Sequence, residues 1–166
     1  MFDRKITKKK KYIWLTIFLL YVLFIFSNSM KPADISSKDS GMALKLVSCF
    51  LESAGANSSW LTEHILRKAA HFSEYTLFGI LLSGCVKVWG FEGKKCRSLY
   101  FTVGYIVPFC DETIQLFVKG RSGQISDVWL DCGGAAFGIL VMMFLKMRYK
   151  RTEESNVKKL PNDFGI

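Results

Sequence analysis

Polar side chains that could do chemistry are grouped in three short segments that lie within or beside long apolar runs of the sequence. The first group lies at residues 67–75, the second at 111–115 and the third at 121–131. The members are Arg67, Lys68, His71, Glu74, Tyr75, Asp111, Glu112, Gln115, Arg121, Asp127 and Asp131. Ionisable groups inside or beside membrane-length apolar runs are costly to bury, so such a set indicates a functional site.

The types of these side chains fit several kinds of chemistry. Arginine and lysine hold phosphate or carboxylate groups, and the planar fork of Arg121 does so through two bonds. His71, with a carboxylate one helical turn away, has the composition of a general base. The carboxylates and His71 would equally bind a divalent cation, although the sequence requires no cofactor. A structural interpretation also fits, in which opposite charges neutralise one another and fasten the helices.

Helical spacing places the members of these groups on common faces. At about 100° per residue, Arg67, His71 and Glu74 fall on one stripe of a helix. The face that carries the third group of carboxylates continues into Gly134-x-x-x-Gly138. This spacing of small residues permits close approach of another helix, and packing is its main expected role.

The elements that must position these residues are predicted to be membrane helices, so the fold class is all-α. Half of the chain is hydrophobic and 14% is aromatic, which excludes a disordered protein. The second helix is predicted to begin at Ser58 or Ser59, with Glu63 in its first turn. The four predicted spans cover residues 12–26, 58–89, 99–118 and 128–145.

Two of these spans reach membrane length only if they include polar residues. Their uncharged parts, residues 76–86 and 98–110, are 11 and 13 residues long. A helix rising 1.5 Å per residue cannot cross a hydrocarbon core of ~30 Å with so few residues. The polar groups of residues 67–75 and 111–115 must therefore lie in the membrane or at its edge.

The segments outside the spans have their own signals. Residues 30–59 are predicted to form a polar connector that contains a short amphipathic helix. Asp39 or Ser40 could cap this helix, and Met42, Leu46 and Phe50 share its apolar face. Both a helix in the membrane interface and a loop helix packed on the bundle fit this pattern. The charged tail, residues 147–166, lacks apolar periodicity and is predicted to be mobile.

The basic residues predict the orientation of the chain in the membrane. Residues 1–11, 87–97 and 146–166 hold 16 of the 23 lysines and arginines, among them Arg4 and Lys5. The positive-inside rule then places both termini in the cytoplasm and every polar group described above in one extracytoplasmic layer. Because the positive charge flanks apolar runs, no nucleic-acid partner is expected. The domains are then a basic N-terminus (1–11), a membrane domain (12–146) and a cytoplasmic tail (147–166).

Two other features of the sequence disfavour common alternatives, namely a cleaved signal peptide and a cysteine framework. The first apolar run is long for a signal peptide and no Ala-x-Ala follows it, so an uncleaved anchor is predicted. The five cysteines form no C-x-x-C pair, which favours small buried apolar side chains over a disulfide or metal framework.

At the same residues, the sequence resembles the VanZ-like family of small bacterial membrane proteins. The matching pieces are Arg67 to Tyr75 with Leu77-Phe78-Gly79, Asp111 to Phe117, Gly120-Arg121, and Asp127 to Asp131 with Gly133 to Gly138. Lys119 stands where the family often has proline. The resemblance covers about residues 12–146, and it implies a multi-span helical protein of a family named after low-level teicoplanin resistance. The positions carried over are Lys68, His71, Tyr75, Asp111, Glu112, Gln115, Arg121, Asp127 and Asp131.

The resemblance and the polar groups together predict a bacterial plasma-membrane protein that acts at the outer leaflet on the cell envelope. Its polar pocket would hold an anionic lipid-linked or peptidoglycan-related ligand and contribute to teicoplanin resistance. The partners would be membrane lipids and a lipid-linked cell-wall precursor or the glycopeptide. Candidate catalytic residues are His71, Glu74, Asp111, Glu112 and Asp127. Candidate ligand-binding residues are Arg67, Lys68, Tyr75, Gln115, Arg121 and Asp131.

Two other classes of function fit the same residues. One is a hydrolase or transferase acting on a lipid phosphate, with His71 as base and Arg121 holding the anion. The other is a non-catalytic accessory or transport protein whose polar cluster fastens helices or relays protons.

Overall fold

The structure, a computed structural model, describes the backbone of residues 7–158 and the side chains as far as residue 153. Within that range the chain forms five helices and no strand, which confirms the all-α fold class. The helices are α1 (Lys8–Ser29), α2 (Ala33–Ser53), α3 (Glu63–Trp89), α4 (Gly93–Leu116) and α5 (Ile125–Lys158). Arg4 and Lys5, counted in the basic N-terminus, lie outside the described residues, as does the tail from residue 159.

The predicted start of the second long helix was wrong by several residues. α3 begins at Glu63 because Thr62 caps it, its side-chain oxygen accepting a hydrogen bond of 3.2 Å from the backbone N–H of Ile65. Glu63 does lie in the first turn, as predicted. Ser58 precedes the helix and donates a hydrogen bond of 2.6 Å to Oε1 of Glu52 instead. Gly90 ends α3 with a φ of 75°, the left-handed conformation that glycine adopts without strain.

The amphipathic helix of the connector is longer than predicted. α2 has 21 residues and begins directly after Pro32, so Asp39 and Ser40 lie inside it and cap nothing. Proline fixes its own φ and is well suited to the first positions of a helix. None of the residues of α2 is buried, and Met42, Leu46 and Phe50 are each about two-thirds exposed, at 69%, 68% and 71%.

The last two helices also extend beyond their predicted bounds. α4 begins at Gly93 rather than near Leu99 and includes Pro108, as expected. α5 continues from Ile125 to Lys158, so the part of the tail predicted to be mobile is helical over its described length. Neither glycine nor proline interrupts residues 139–158, which explains why the helix continues past the apolar span.

Helix α3 is the centre of the bundle. It packs most extensively against α5 and also contacts α1, α2 and α4. Most of the buried apolar side chains, including Tyr75, Phe78 and Leu82, lie on α3, and Phe18 and Ile25 of α1 complete the core.

The contact between α3 and α5 is a backbone-to-backbone contact made possible by glycine. A Cβ atom at Gly134 would lie 2.6 Å from the Phe72 carbonyl oxygen, and one at Gly138 would collide with the Thr76 carbonyl oxygen. Gly79 of α3 faces the Ala135 backbone in the same way. The predicted packing role of Gly134-x-x-x-Gly138 is therefore confirmed.

Two of the helices are long and apolar enough to cross a membrane. These are α1 and the part of α5 up to Glu153. Within the described residues, α3 and α4 do not meet the same standard of length and composition. The four-span arrangement therefore remains a prediction.

The glycine contact predicts different effects on stability for two glycine-to-alanine substitutions on α5. Gly138→Ala should lower the free energy of unfolding by about 1–3 kcal/mol, because its methyl group has no room beside the α3 backbone. Gly133→Ala is the matched control, since nothing lies within 4 Å of its added Cβ. It should leave stability unchanged or raise it by up to ~1 kcal/mol through helix propensity. Thermal unfolding in detergent measures both, and equal loss in the two variants would contradict the contact.

Candidate functional site

The three polar groups of the sequence meet at one end of the bundle. At this end lie the C-terminal end of α1, the N-terminal ends of α3 and α5, and the loop after α4. The side-chain amide of Asn28 donates to Oε1 of Glu74 over 3.1 Å, which joins α1 to α3. Arg121 joins the loop to α1, donating from Nη2 to the Asn28 carbonyl over 3.1 Å and from Nε to the Lys31 carbonyl over 3.3 Å.

A cluster of acidic groups is buried beneath this surface. Asp111 and Asp131 are 0% exposed and Glu112 is 4% exposed. Together with the half-buried His71 they form what we call the acidic cage, in which one ligand atom from each residue lies within 4.8 Å of all the others. The cage draws on three helices, with His71 on α3, Asp111 and Glu112 on α4, and Asp131 on α5.

The register between α3 and α5 produces this meeting of side chains. Gly134 lies against the Phe72 carbonyl, so one turn nearer the polar end Asp131 comes to face His71. Nδ1 of His71 is 3.6 Å from Oδ1 of Asp131. Because the helices cannot slide without breaking the glycine contact, this pair is fixed by backbone packing.

The cage residues differ in how well they are satisfied by hydrogen bonds. Glu112 accepts from Nε2 of Gln115 over 2.6 Å and from the backbone N–H of Gln124 over 3.1 Å. By contrast, among the described residues, neither carboxylate oxygen of Asp111 or of Asp131 has a hydrogen-bond partner, and neither has Nδ1 of His71. Such groups are rare in folded proteins and mark a place where a partner is expected.

A groove opens above the cage on the side of α2. It has a volume of about 260 Å³, and Lys31, Arg67, His71, Glu74 and Arg121 are among its lining residues. A smaller cavity of about 70 Å³ shares His71 and the two arginines with it as lining residues and is also lined by Gln115 and Asp127. We call the first space the basic groove.

The two arginines make the groove electrostatically suited to an anion. Burial, followed by the nearby Arg67 guanidinium, lowers the pKa of Arg121 from its usual value. The Arg121 guanidinium nevertheless remains charged at neutral pH, as arginine side chains do in proteins. The mutual repulsion of the two arginines would be relieved by a phosphate or carboxylate group placed between them.

The structure brings all the predicted site residues to one end of the bundle. They do not form a single cluster there. The cage and groove include most of them, whereas Lys68 and Asp127 form an outer ion pair of 3.4 Å. Glu74 lines the groove and bonds to Asn28 rather than joining the cage. Tyr75 is fully buried, and its hydroxyl has no hydrogen-bond partner among the described residues.

Sequence reasoning missed the contribution of the first helix and the connector. Asn28, Ser29, Lys31 and Ser36 line the groove, and Ser29 is buried at 2% exposure. The available signal was the polar triplet Ser27-Asn28-Ser29 at the end of an apolar span, in the same layer as the other polar groups.

Comparison with protein families gives one clear result. Residues 12–146 match the sequence model of the family described as VanZ/LLP1. Comparison with curated proteins and with solved structures gives no match. The family match and the two apolar helices indicate a membrane protein, and the match confirms the resemblance found in the sequence.

The hydrogen bonds of the cage predict that its acids differ in their effect on stability. Glu112→Gln should lower the free energy of unfolding by about 1–3 kcal/mol, because an amide cannot accept from both Gln115 and Gln124. Asp131→Asn is the matched isosteric change, and it removes no hydrogen bond while reducing repulsion between carboxylates. We expect it to leave the melting temperature in detergent and chelator unchanged or to raise it.

The same measurement tests the structural interpretation of the polar cluster. If the acids only fastened the helices, Asp131→Asn would cost as much stability as Glu112→Gln.

Proposed function

Because the chain belongs to the VanZ/LLP1 family, which links it to glycopeptide resistance, we propose that it binds an anionic lipid-linked ligand at the outer leaflet of the bacterial plasma membrane. The ligand is a lipid-linked or peptidoglycan-related molecule of the cell envelope, and its binding contributes to resistance to teicoplanin and related lipoglycopeptides. The observation that carries this proposal is the basic groove, in which two arginines from separate elements line one space.

We propose that four helices span the membrane. α3 and α4 have 27 and 24 residues, which at 1.5 Å per residue gives lengths of about 40 and 36 Å against a hydrocarbon core of ~30 Å. Their polar residues face the bundle interior at one end, as is usual for ionisable groups in membrane helices. The apolar side chains that α1 and α5 expose, such as Leu20 and Leu140 at 60% each, would contact lipid.

The distribution of basic residues supports an orientation with the groove outside. Lys11 lies over the ring of Trp89, 5.7 Å from its centroid, so the N-terminal end of α1 meets the C-terminal end of α3. Lys8–Lys11, Lys87 and the basic start of α4 therefore share the end opposite the groove. The positive-inside rule assigns that end to the cytoplasm.

Helix α2 would lie in the membrane interface beside the groove. Its apolar face, with Met42, Leu46 and Phe50, is not covered by the bundle. Its Ser36 lines the same groove as Arg67 and Arg121. A lipid whose acyl or isoprenoid chain lies along this face would have its anionic head group beside the two guanidinium groups.

A lipid-phosphate hydrolase or transferase is the second candidate, and the position of His71 favours it. His71 lines both the groove and the smaller cavity, and it is 3.6 Å from Asp131. A histidine oriented by a carboxylate and open to a bound phosphate has the arrangement of a general base. A non-catalytic accessory or transport role would leave these groups with a structural or proton-relay function only.

Arg67 provides the sharpest test of ligand binding because it lines the groove yet, among the described residues, is joined to no other side chain by a hydrogen bond or ion pair of the structure. Arg67→Ala should weaken binding of a polyprenyl phosphate by at least about 10-fold, the effect of losing a charge-assisted contact. Arg97→Ala, an exposed arginine at the opposite end, is the control and should have no effect. Native mass spectrometry of the detergent-solubilised protein measures both.

The probes of this experiment also separate the candidates. The polyprenol of equal length should bind much more weakly than its phosphate, and equal binding would contradict recognition of the anion. Release of inorganic phosphate by the wild type but not by a His71→Ala variant that still binds would assign the enzyme instead.

The orientation is tested by accessibility of single cysteines in intact cells. After removal of the native cysteines, a cysteine at Asn57 or Ser122 should react with an impermeant thiol reagent, because both positions lie at the groove end. A cysteine at Gly93, at the basic end, should react only after the membrane is permeabilised. Labelling of Gly93→Cys from outside would reverse the proposed topology.

A further inference from the structure

We propose that the acidic cage binds one divalent transition-metal ion, of the class of Mn²⁺ or Zn²⁺, through His71, Asp111, Glu112 and Asp131. This inference does not depend on what occupies the basic groove. It rests on the geometry of the four side chains, on the unsatisfied buried atoms of His71, Asp111 and Asp131, and on the fact that no lysine or arginine among the described side chains forms an ion pair with these acids.

The separation of the four groups fits the coordination sphere of a single ion. Metal–ligand distances for nitrogen and carboxylate oxygen are about 2.0–2.4 Å, so opposite ligands of one ion lie about 4–4.8 Å apart and neighbouring ligands lie closer. The candidate ligand atoms all lie within 4.8 Å of one another. No movement of the helices is therefore required to place an ion between them.

Burial of unpaired carboxylates is the second and independent observation. Asp111 and Asp131 are 0% exposed, and all four of their carboxylate oxygens lack a hydrogen-bond partner among the described residues. Ser29, Tyr75 and Gln115 lie beside Asp111, but none forms a hydrogen bond to it that satisfies the usual geometry. Buried carboxylates of proteins are paired, hydrogen-bonded or bound to metal, since an isolated charge at such depth is very costly.

The nearby basic side chains are engaged elsewhere. Arg121 is close enough to act on Asp111 electrostatically, yet its Nε and Nη2 groups donate to the backbone carbonyls of Lys31 and Asn28. Lys68 pairs with Asp127. Among residues 7–153, His71 is the only basic side chain within ion-pair distance of a cage carboxylate, so the cage has three acids and one imidazole to be balanced.

The surroundings of the cage are those of a supported metal site. Gln115 and Gln124 hold Glu112 by its two oxygens, and each oxygen keeps a lone pair for a metal. Hydrogen bonds of this kind orient ligating carboxylates in known metal sites. All four ligands lie on helices, and those of α3 and α5 are held in register by the glycine contact. Helical positions hold a coordination geometry more precisely than loops do.

The ligand set decides the class of ion. Mg²⁺ and Ca²⁺ prefer oxygen donors alone, whereas an imidazole combined with carboxylates suits Mn²⁺, Fe²⁺ or Zn²⁺. An ion here would lie directly below the basic groove, where His71 lines the wall. If the groove also binds a phosphate, the cation and the two arginines would face the same anion.

Metal content of the isolated protein tests the inference without any lipid ligand. The full chain is purified in detergent without a polyhistidine tag, treated with EDTA and dialysed against Mn²⁺ or Zn²⁺. We expect one ion per chain by mass spectrometry, and at least ~10-fold weaker binding for Asp131→Asn. Glu63→Gln, an exposed acid on the same helix as His71, is the control and should bind like the wild type. Folded wild-type protein that binds no stoichiometric ion would overturn the inference.

Pulsed electron paramagnetic resonance of the Mn²⁺ complex identifies the nitrogen ligand directly. The chain has 2 histidines, so the assignment needs only two variants. The ¹⁴N modulation expected from a bound imidazole should disappear in His71→Gln and persist in His64→Gln, since His64 is exposed and outside the cage. Modulation that survives in folded His71→Gln would refute the site. Should Asp131→Asn or His71→Gln fail to fold, the wild-type stoichiometry and its ¹⁴N signal decide the question.

Discussion

The close contact of α3 with α5 is the constraint on which the rest of the structure depends. Gly134 and Gly138 lie against the carbonyl groups of Phe72 and Thr76, so the two backbones touch with no side chain between them. A contact of this kind permits one register only, because any side chain in its place would collide. That register places Asp131 opposite His71, so this pair of the acidic cage follows from helix packing rather than from attraction between the two side chains.

The buried acids of the cage differ in whether the protein satisfies their oxygens with hydrogen bonds. The acids of the cage lie toward the polar end of the bundle, next to the apolar core that includes Tyr75, Phe78 and Leu82. Glu112 is satisfied by hydrogen bonds, but Asp111 and Asp131 are not. Replacing such unpaired carboxylates with apolar side chains would stabilise the protein. Their presence therefore supports the proposal of a binding site, because functional sites often cost stability.

The basic groove and the acidic cage are adjacent parts of one site with opposite charge. Arg67 and Arg121 lie on the outer side and the three carboxylates on the inner side, and His71 lines the boundary between them. The proposed anion in the groove would neutralise the charge of the arginines, and the proposed cation in the cage would neutralise the charge of the carboxylates. The family match covers the segment that contains both layers.

The all-α class, the three polar groups and the packing role of the glycines could be predicted from the sequence, because periodicity and the cost of burying charge are local properties. The sequence-based prediction misplaced the starts of α2 and α3 and the end of α5, since Pro32, Thr62 and the uninterrupted residues after Gly138 set those bounds through capping and propensity. The packed structure was needed to show that Asp111 and Asp131 join His71, that Lys68 and Asp127 form a separate outer pair, and that Asn28 and Ser29 belong to the groove. These contacts depend on the register and rotation between helices that are far apart in the chain. The spacing of residues within one helix carries no information about either.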